Sequence, residues 1–191
     1  MGTETISVLK HRLNVPRFFA MIVALIGVIV LFLPIISATP DFVKRIGSVT
    51  DLGYNELDDI QLSDLKDLSL YSYGRIYYNH QKNVDHDDAK TLLILMLLPG
   101  AGALLAFLFA SGKHPFFMLL MDLVIAGSFW VDTKWIGDIG LMVSETHEWS
   151  SAYYVYPACI VLLAMLSIWM FIAKYKWKKA KKRAILGSAI I

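Results

Sequence analysis

Residues 92–110 have the sequence LLILMLLPGAGALLAFLFA, and this stretch decides the fold class of the chain. It contains no charged residue over 19 positions. A helix needs roughly 20 apolar residues to cross a hydrocarbon core about 30 Å thick, because each residue adds about 1.5 Å. Inside lipid, every backbone N–H and C=O must be bonded within the segment itself. The stretch therefore predicts a transmembrane helix.

Three other segments have the same apolar character. Residues 18–36 and 152–172 are uncharged, and the shorter run 115–131 carries one acid, Asp122. The chain of 191 residues is 57% hydrophobic and 18% charged, whereas a soluble domain has roughly 45–50% and 25%. A single cysteine, Cys159, excludes a disulfide scaffold. We predict an all-α integral membrane protein built as a four-transmembrane-helix bundle.

The distribution of Lys and Arg predicts how these four helices are oriented. Residues 1–17, 111–114 and 173–191 carry 11 basic residues and one acid, whereas residues 37–91 and 132–151 carry 7 basic residues and 14 acids. Because basic loops stay on the cytoplasmic side, we expect both termini in the cytoplasm. The outer segments contain no cysteine and no N-glycosylation sequon, which favours a bacterial cytoplasmic membrane over an animal cell surface.

The first outer segment, 37–91, predicts a small extracytoplasmic cap that is rich in acids and tyrosines. Three leucines spaced three apart favour a short helix that begins near Ser63 or Asp64, and they are Leu62, Leu65 and Leu68. About 54 residues without a disulfide rarely build a core of their own. We therefore expect the cap to pack on residues 132–151, on the outer helix ends or on a partner protein.

Four tyrosines follow the leucines and form the candidate partner-binding surface: Tyr71, Tyr73, Tyr77 and Tyr78. Their spacing does not decide between a strand and a continued helix. A cap that cannot fold alone is suited to binding another protein, and it is equally suited to covering its own bundle. Both interpretations stay open at this point.

Asp122 is the candidate polar site within the membrane. A carboxylate well inside a span costs at least about 2.5–3.5 kcal/mol on insertion scales, so such residues usually face a bundle interior and mark a functional site or a pair. Its helical neighbours include no basic residue. One interpretation is a functional or subunit-pairing role. Asp122 would then be protonated, hydrogen-bonded to Ser128, Ser167 or an opened carbonyl near Pro99, or paired with a basic residue of another subunit. The other places Asp122 near the cytoplasmic interface, beside Lys113 and His114.

The second span carries a candidate site for helix packing or for a helix break. Gly102, Ala106 and Ala110 recur every four residues, a pattern typical of close helix packing. Pro99 and Gly100 precede them, and a Pro–Gly break can free carbonyl groups at a transporter site. Packing is the more common role of such residues.

Histidines and acids cluster just before the second and fourth spans, where His80, His86 and His147 are weak candidates for a metal ligand. Their spacing matches no established metal motif, so we expect a solvated acidic rim with no metal and no cofactor. The tail carries a basic group suited to anionic lipid, and it consists of Lys176, Lys178, Lys179, Lys181, Lys182 and Arg183. No feature favours nucleic acid as a partner.

The order of short inner and long outer segments resembles that of the claudin-like tetraspan proteins. The resemblance covers the whole chain as topology alone, with a large first outer loop, a tight inner loop at 111–114 and a smaller second outer loop. The claudin signature is missing, because residues 37–91 contain neither Trp nor Cys. The resemblance implies a layout and transfers no functional residue.

Three functional hypotheses follow. The leading one is a non-enzymatic membrane accessory or scaffold subunit, which binds another membrane protein or copies of itself through its cap and spans. The alternative is a small ion- or proton-coupled transporter or channel subunit that uses Asp122 and the break at Pro99 and Gly100. The third is a membrane enzyme acting on lipid or cell-wall precursors. Enzymes are disfavoured because the chain lacks a glycine-rich phosphate loop and a GxSxG motif.

Overall fold

The computed structural model describes residues 2–47, 66–81, 86–138 and 146–188. Six helices and three short strands follow one another in these ranges. The helices are α1 (Gly2–Val30), α2 (Pro40–Gly47), α3 (Leu70–Gln81), α4 (His86–Ser111), α5 (Pro115–Asp138) and α6 (Ser151–Ser188). The strands are β1 (Ile36–Ala38), β2 (Asp67–Leu68) and β3 (His147–Trp149).

Four of these helices are long and apolar enough to cross a membrane, which confirms the predicted helical membrane bundle. The qualifying stretches are His11–Val30, Asp87–Ser111, Pro115–Asp138 and Ser151–Arg183. Around the bundle, α1 packs against α4 and α6, and α5 packs against the same two helices. The apolar core lies at the centre of this ring, and its residues come from all four long helices.

Small residues bring the helices close together. A Cβ atom added at Gly27 of α1 would lie 3.2 Å from the Cβ of Ala103, and one added at Gly102 would lie 2.8 Å from Cγ1 of Ile125. Ala106 and Ala110 are also fully buried. The small face of α4 therefore packs within the chain against α1 and α5.

Of the two roles considered for Pro99 and Gly100, helix packing or a helix break, the structure shows no break. α4 runs without interruption from His86 to Ser111 with Pro99 inside it. Both residues are buried, and a Cβ atom at Gly100 would lie 2.5 Å from Cδ2 of Leu31. Neighbouring helices and local adjustment allow a membrane helix to tolerate proline, because they re-satisfy the freed backbone groups.

A three-stranded antiparallel sheet, in the order β2-β1-β3, lies over one end of the bundle, which we call the cap end. Ile36 pairs with both Leu68 and Trp149. The predicted first span, 18–36, therefore lies too far toward the C-terminus: the apolar stretch of α1 is His11–Val30, and the residues after Val30 turn into β1. Pro34 lacks the N–H that a helix would need, and the Ile35 N–H donates to the carbonyl of Leu68 at 2.8 Å.

The cap helix α3 begins at a reciprocal capping pair. The Ser72 N–H donates to Oγ of Ser69 at 3.0 Å, and the Ser69 N–H donates to Oγ of Ser72 at 2.8 Å. This satisfies two backbone donors at the helix start. The predicted helix over Leu68 is wrong, because Leu68 lies in β2; its predicted start, near Ser63, lies outside the described residues. The tyrosine-rich segment is helical.

Candidate functional site

Asp132 is the most deeply buried ionisable side chain among the described residues. It has 0% of its surface exposed, and neither carboxylate oxygen has a hydrogen-bond partner in the described part of the chain. An isolated ionised carboxylate in apolar surroundings is strongly destabilising. Binding a proton or another cation removes most of that penalty. Asp132 is therefore the strongest candidate for a site inside the bundle.

The surroundings of Asp132 join three of the four long helices. Phe129, one turn earlier on α5, stacks on Tyr156 of α6 with ring centroids 4.9 Å apart. The Tyr156 hydroxyl donates to the carbonyl of Gly27 on α1 at 3.0 Å, and a charge on Asp132 would interact with this hydroxyl. A change in the charge of Asp132 would therefore act on the contacts of Tyr156, which connect α1, α5 and α6.

The predicted third span, 115–131, stops one residue before Asp132, which places Asp132 in the second outer loop. In the structure the third span continues from residue 131 to Asp138. Asp132 and Lys134 lowered the local hydropathy and suggested a loop. The signal that could have located Asp132 is its spacing of three from Phe129 and four from Ile136, which places all three on one helical face.

Asp122 lies on the same buried face of α5, ten residues earlier, so a rise of about 1.5 Å per residue puts it about 15 Å away. It is 3% exposed, and its Oδ1 has no partner among the residues described. The proposed donors are occupied, because the Ser128 hydroxyl donates to the carbonyl of Val124 and the Ser167 hydroxyl to that of Leu163, each at 2.8 Å. Pairing of Asp122 with another subunit stays a prediction.

The cap tyrosines mostly pack on their own chain. Tyr73 is 4% exposed, and its ring meets Trp135 of α5 edge-on at 6.0 Å, while Tyr77 meets the same ring at 5.2 Å. Burial raises the pKa of Tyr73 above its ordinary value of 10.0, and the neighbouring Tyr77 adds a smaller increase. Tyr78 is half-buried. Of the four tyrosines proposed to bind a partner, Tyr71 is the one that is exposed, and it lies against Phe32.

The sheet presents an acidic surface to the outside of the cap. Side chains alternate along each strand, so Ile36 and its partners face the bundle while Ser37 and its partners face away. Ser37 is paired with Asp67 on one side and with Glu148 on the other. The Ser37 hydroxyl donates to Oδ1 of Asp67 at 2.7 Å. We call Asp67, Ser37 and Glu148 the acidic sheet face.

Of the three weak metal candidates, the structure describes the side chain of His147. His147 is buried at the sheet, with its ring 5.2 Å from that of Phe42 and its Nδ1 3.2 Å from the hydroxyl of Thr146. The side chains of His80 and His86 lie outside the part of the chain that is described. Within that part, no group of three His, Cys, Asp or Glu side chains could hold a metal ion.

The opposite end of the bundle, which we call the basic end, is where α4 ends, α5 begins and the last turns of α6 project. The tail residues proposed to contact lipid are all exposed there: Lys176, Lys178, Lys179, Lys181, Lys182 and Arg183. The ammonium group of Lys181 lies 5.5 Å from the ring centroid of Trp177. This is a cation–π contact suited to a membrane interface.

Comparison with known proteins found no relative of this chain. No protein-family model matches the chain, and neither a curated protein nor a solved structure matches it.

Proposed function

We propose that this chain is a non-enzymatic integral membrane protein that serves as an accessory or scaffold subunit. In this proposal its termini lie in the cytoplasm of a bacterial cell, and the cap end faces outward. A partner membrane protein, or a second copy of the chain, docks on the cap. The observation that carries the proposal is the acidic sheet face, in which Asp67 and Glu148 flank Ser37.

Two properties of this face support docking. First, Asp67 and Glu148 are exposed, so their carboxylates are available to a basic partner. Second, the face is held in place from below, because Ile36 and Leu68 on the other side of the sheet are buried in the core. Complementary charge on a pre-arranged surface favours fast and specific association. The chemistry that fits is a Lys- or Arg-rich segment of the partner.

A claudin-like layout is part of the same proposal. In such a layout a large first outer segment and a smaller second one lie at the same end of four helices. The pairing of β1 with β3 joins the end of the first span to the segment that precedes α6, which supports this arrangement. The cap would then act as a single rigid docking element.

Purification from native membranes in a mild detergent, followed by mass spectrometry, tests the proposal. The test variant is Asp67→Asn with Glu148→Gln, which removes two charges while keeping the size of each side chain. The control is Asp41→Asn with Asp138→Asn, which removes two exposed acids outside the sheet face. We expect a stoichiometric partner with the wild type and the control, and at least about tenfold less of it with the test variant.

Two results would overturn the proposal. One is a wild-type protein that purifies with no stoichiometric partner and as a monomer. The other is a partner retained equally by the test variant and the control. Thermal unfolding of both variants shows whether the cap is intact, since a loss of fold would lower the midpoint in either.

A second candidate function is proton- or ion-coupled transport, or a channel subunit, and Asp132 favours it. Its carboxyl lies in the bundle interior with both oxygens unpartnered by the described residues, and Asp122 lies on the same face about 15 Å away. Buried acids of this kind are typical of proton relays in membranes.

Reconstitution into liposomes that contain a pH-sensitive dye tests this second function. We expect Asp132→Asn to abolish flux, while Asp138→Asn, an exposed acid on the same helix, leaves it unchanged. A wild-type flux no greater than that of protein-free liposomes would eliminate this candidate.

A further inference from the structure

A groove of about 230 Å³ lies at the basic end, where the first turn of α5 meets α6. Three basic side chains line it: His114, Lys174 and Lys178. Its other walls are largely aromatic and include Phe117, Phe171 and Tyr175. The groove thus combines a positive rim with an apolar floor.

The α4–α5 turn holds one side of the groove in a defined shape. Lys113 has a φ of 59°, in the left-handed region, and its N–H donates to the carbonyl of Ala110 at 3.1 Å. The next N–H, of His114, donates to the carbonyl of Phe109 at 2.8 Å. Together these bonds form a Schellman motif that ends α4. The His114 side chain therefore leaves the turn from a fixed backbone position.

Lys174 ties the other side of the groove to this turn. Its ammonium group donates to the carbonyl of Lys113 at 2.6 Å. Lys178 follows one helical turn later on α6 and is exposed. Two lysines four residues apart lie on the same face of a helix, so both ammonium groups border the groove. One of them is already held by a hydrogen bond before any ligand binds.

The backbone adds further positive potential. The Met118 N–H donates to the carbonyl of His114 at 3.1 Å, a bond that joins the turn to the first turn of α5. The N–H groups of Phe116 and Phe117 precede it and have no acceptor within the helix. They lie beside the groove, at the positive end of the helix dipole.

We propose that this groove binds an anionic phospholipid, with the headgroup phosphate between His114, Lys174 and Lys178 and the start of an acyl chain against Phe117 and Phe171. The aromatic floor favours a lipid over free phosphate, because inorganic phosphate would leave that apolar surface uncovered. Basic pockets between helices at the cytoplasmic side are suited to such headgroups. The site is independent of the proposed docking at the cap.

The site differs from a general attraction between the tail and the membrane surface, and this difference can be measured. Lys176 and Lys179 are exposed on the same stretch of α6 but do not line the groove. The double variants Lys174→Gln with Lys178→Gln and Lys176→Gln with Lys179→Gln therefore remove equal charge from the same segment. Only the first pair removes charge from the groove.

Native mass spectrometry of the full chain in phosphatidylcholine nanodiscs containing a minor fraction of phosphatidylglycerol provides the assay. We expect one retained phosphatidylglycerol on the wild type and on the Lys176/Lys179 control. We expect about tenfold or greater weakening with the Lys174/Lys178 variant, since each lysine near anionic lipid contributes measurably. Equal weakening in both variants, or none in either, would overturn the proposal.

Two additional experiments address an unfolded variant and a site for free phosphate. If the loss of the bond from Lys174 to the turn unfolds the double variant, the single changes Lys178→Gln and Lys179→Gln give the same comparison at adjacent positions. Inorganic phosphate is added as a competitor, and we expect no displacement at millimolar concentrations. Displacement by phosphate would show a simple anion site and would overturn the assignment to a lipid.

Discussion

The contact between α4 and α5 at Gly102 offers a sharp test of the bundle. An added Cβ atom at Gly102 would lie 2.8 Å from Cγ1 of Ile125, a distance that real Cβ atoms essentially never show. At Gly127 on α5, no described atom lies within 4 Å of the corresponding position. The changes Gly102→Ala and Gly127→Ala are thus chemically identical and differ in their surroundings.

The two substitutions are expected to change the free energy of unfolding in opposite directions. In a helix interior, replacing glycine with alanine stabilises by about 0.5–1 kcal/mol. Forcing a methyl group into a packed core destabilises by about 1–3 kcal/mol. Cγ1 is the inner branch of the buried Ile125 side chain, so it cannot simply swing away. We expect Gly102→Ala to lower the free energy of unfolding by about 0.5–2 kcal/mol and Gly127→Ala to raise it by about 0.5–1 kcal/mol.

Unfolding in mixed micelles by SDS titration, followed by circular dichroism, measures both values. A double-mutant cycle then locates the clash. In an Ile125→Ala background the added methyl group has space, so we expect Gly102→Ala to become neutral or stabilising. If Gly102→Ala stabilised the wild type as much as Gly127→Ala does, α4 and α5 would not approach as closely as described, and the packing argument would fail.

The same titration tests three other features of the described residues. Tyr73→Phe removes a buried hydroxyl that has no described partner, so we expect the free energy of unfolding to stay the same or rise. Tyr156→Phe removes the hydrogen bond to the carbonyl of Gly27, so we expect the free energy of unfolding to fall by about 0.5–1.5 kcal/mol. Ser69→Ala removes the cap of α3 and costs about 1 kcal/mol; an unchanged value would mean that the cap helix does not depend on it. Asp132→Leu replaces an unpartnered carboxyl by an apolar group of similar size, so we expect stability to rise by about 1–3 kcal/mol. A decrease would reveal a partner for Asp132.

The long helices were predictable because hydropathy is a local property. An uncharged run of about 20 residues is enough to predict a span, and the four predicted runs fall on α1, α4, α5 and α6. Their ends were less accurate, since the first span stops at Val30 and the third continues to Asp138. The end of α1 depends on Pro34, and the end of α5 depends on the burial of Asp132. A hydropathy average over a window of residues detects neither.

The cap was predictable in one respect only. The outer segment was expected to pack on residues 132–151, on the outer helix ends or on a partner protein, and the pairing of β1 with β3 agrees with the first of these. The sheet itself was not predicted, because strands of two or three residues carry almost no periodic signal. The helix predicted over Leu68 was wrong because long-range pairing with Ile36 outweighed the local spacing of the leucines.

The sequence by itself determined which segments are apolar enough to enter a membrane and where charge accumulates along the chain. The tertiary structure decided which side of each helix faces the interior, and so placed Asp122 and Asp132 inside the bundle and Lys174 beside the α4–α5 turn. The reason is physical. A helix that is apolar on all sides carries no amphipathic signal, so its buried face is chosen by the close packing of small residues against neighbouring helices, which exists only once the bundle has formed.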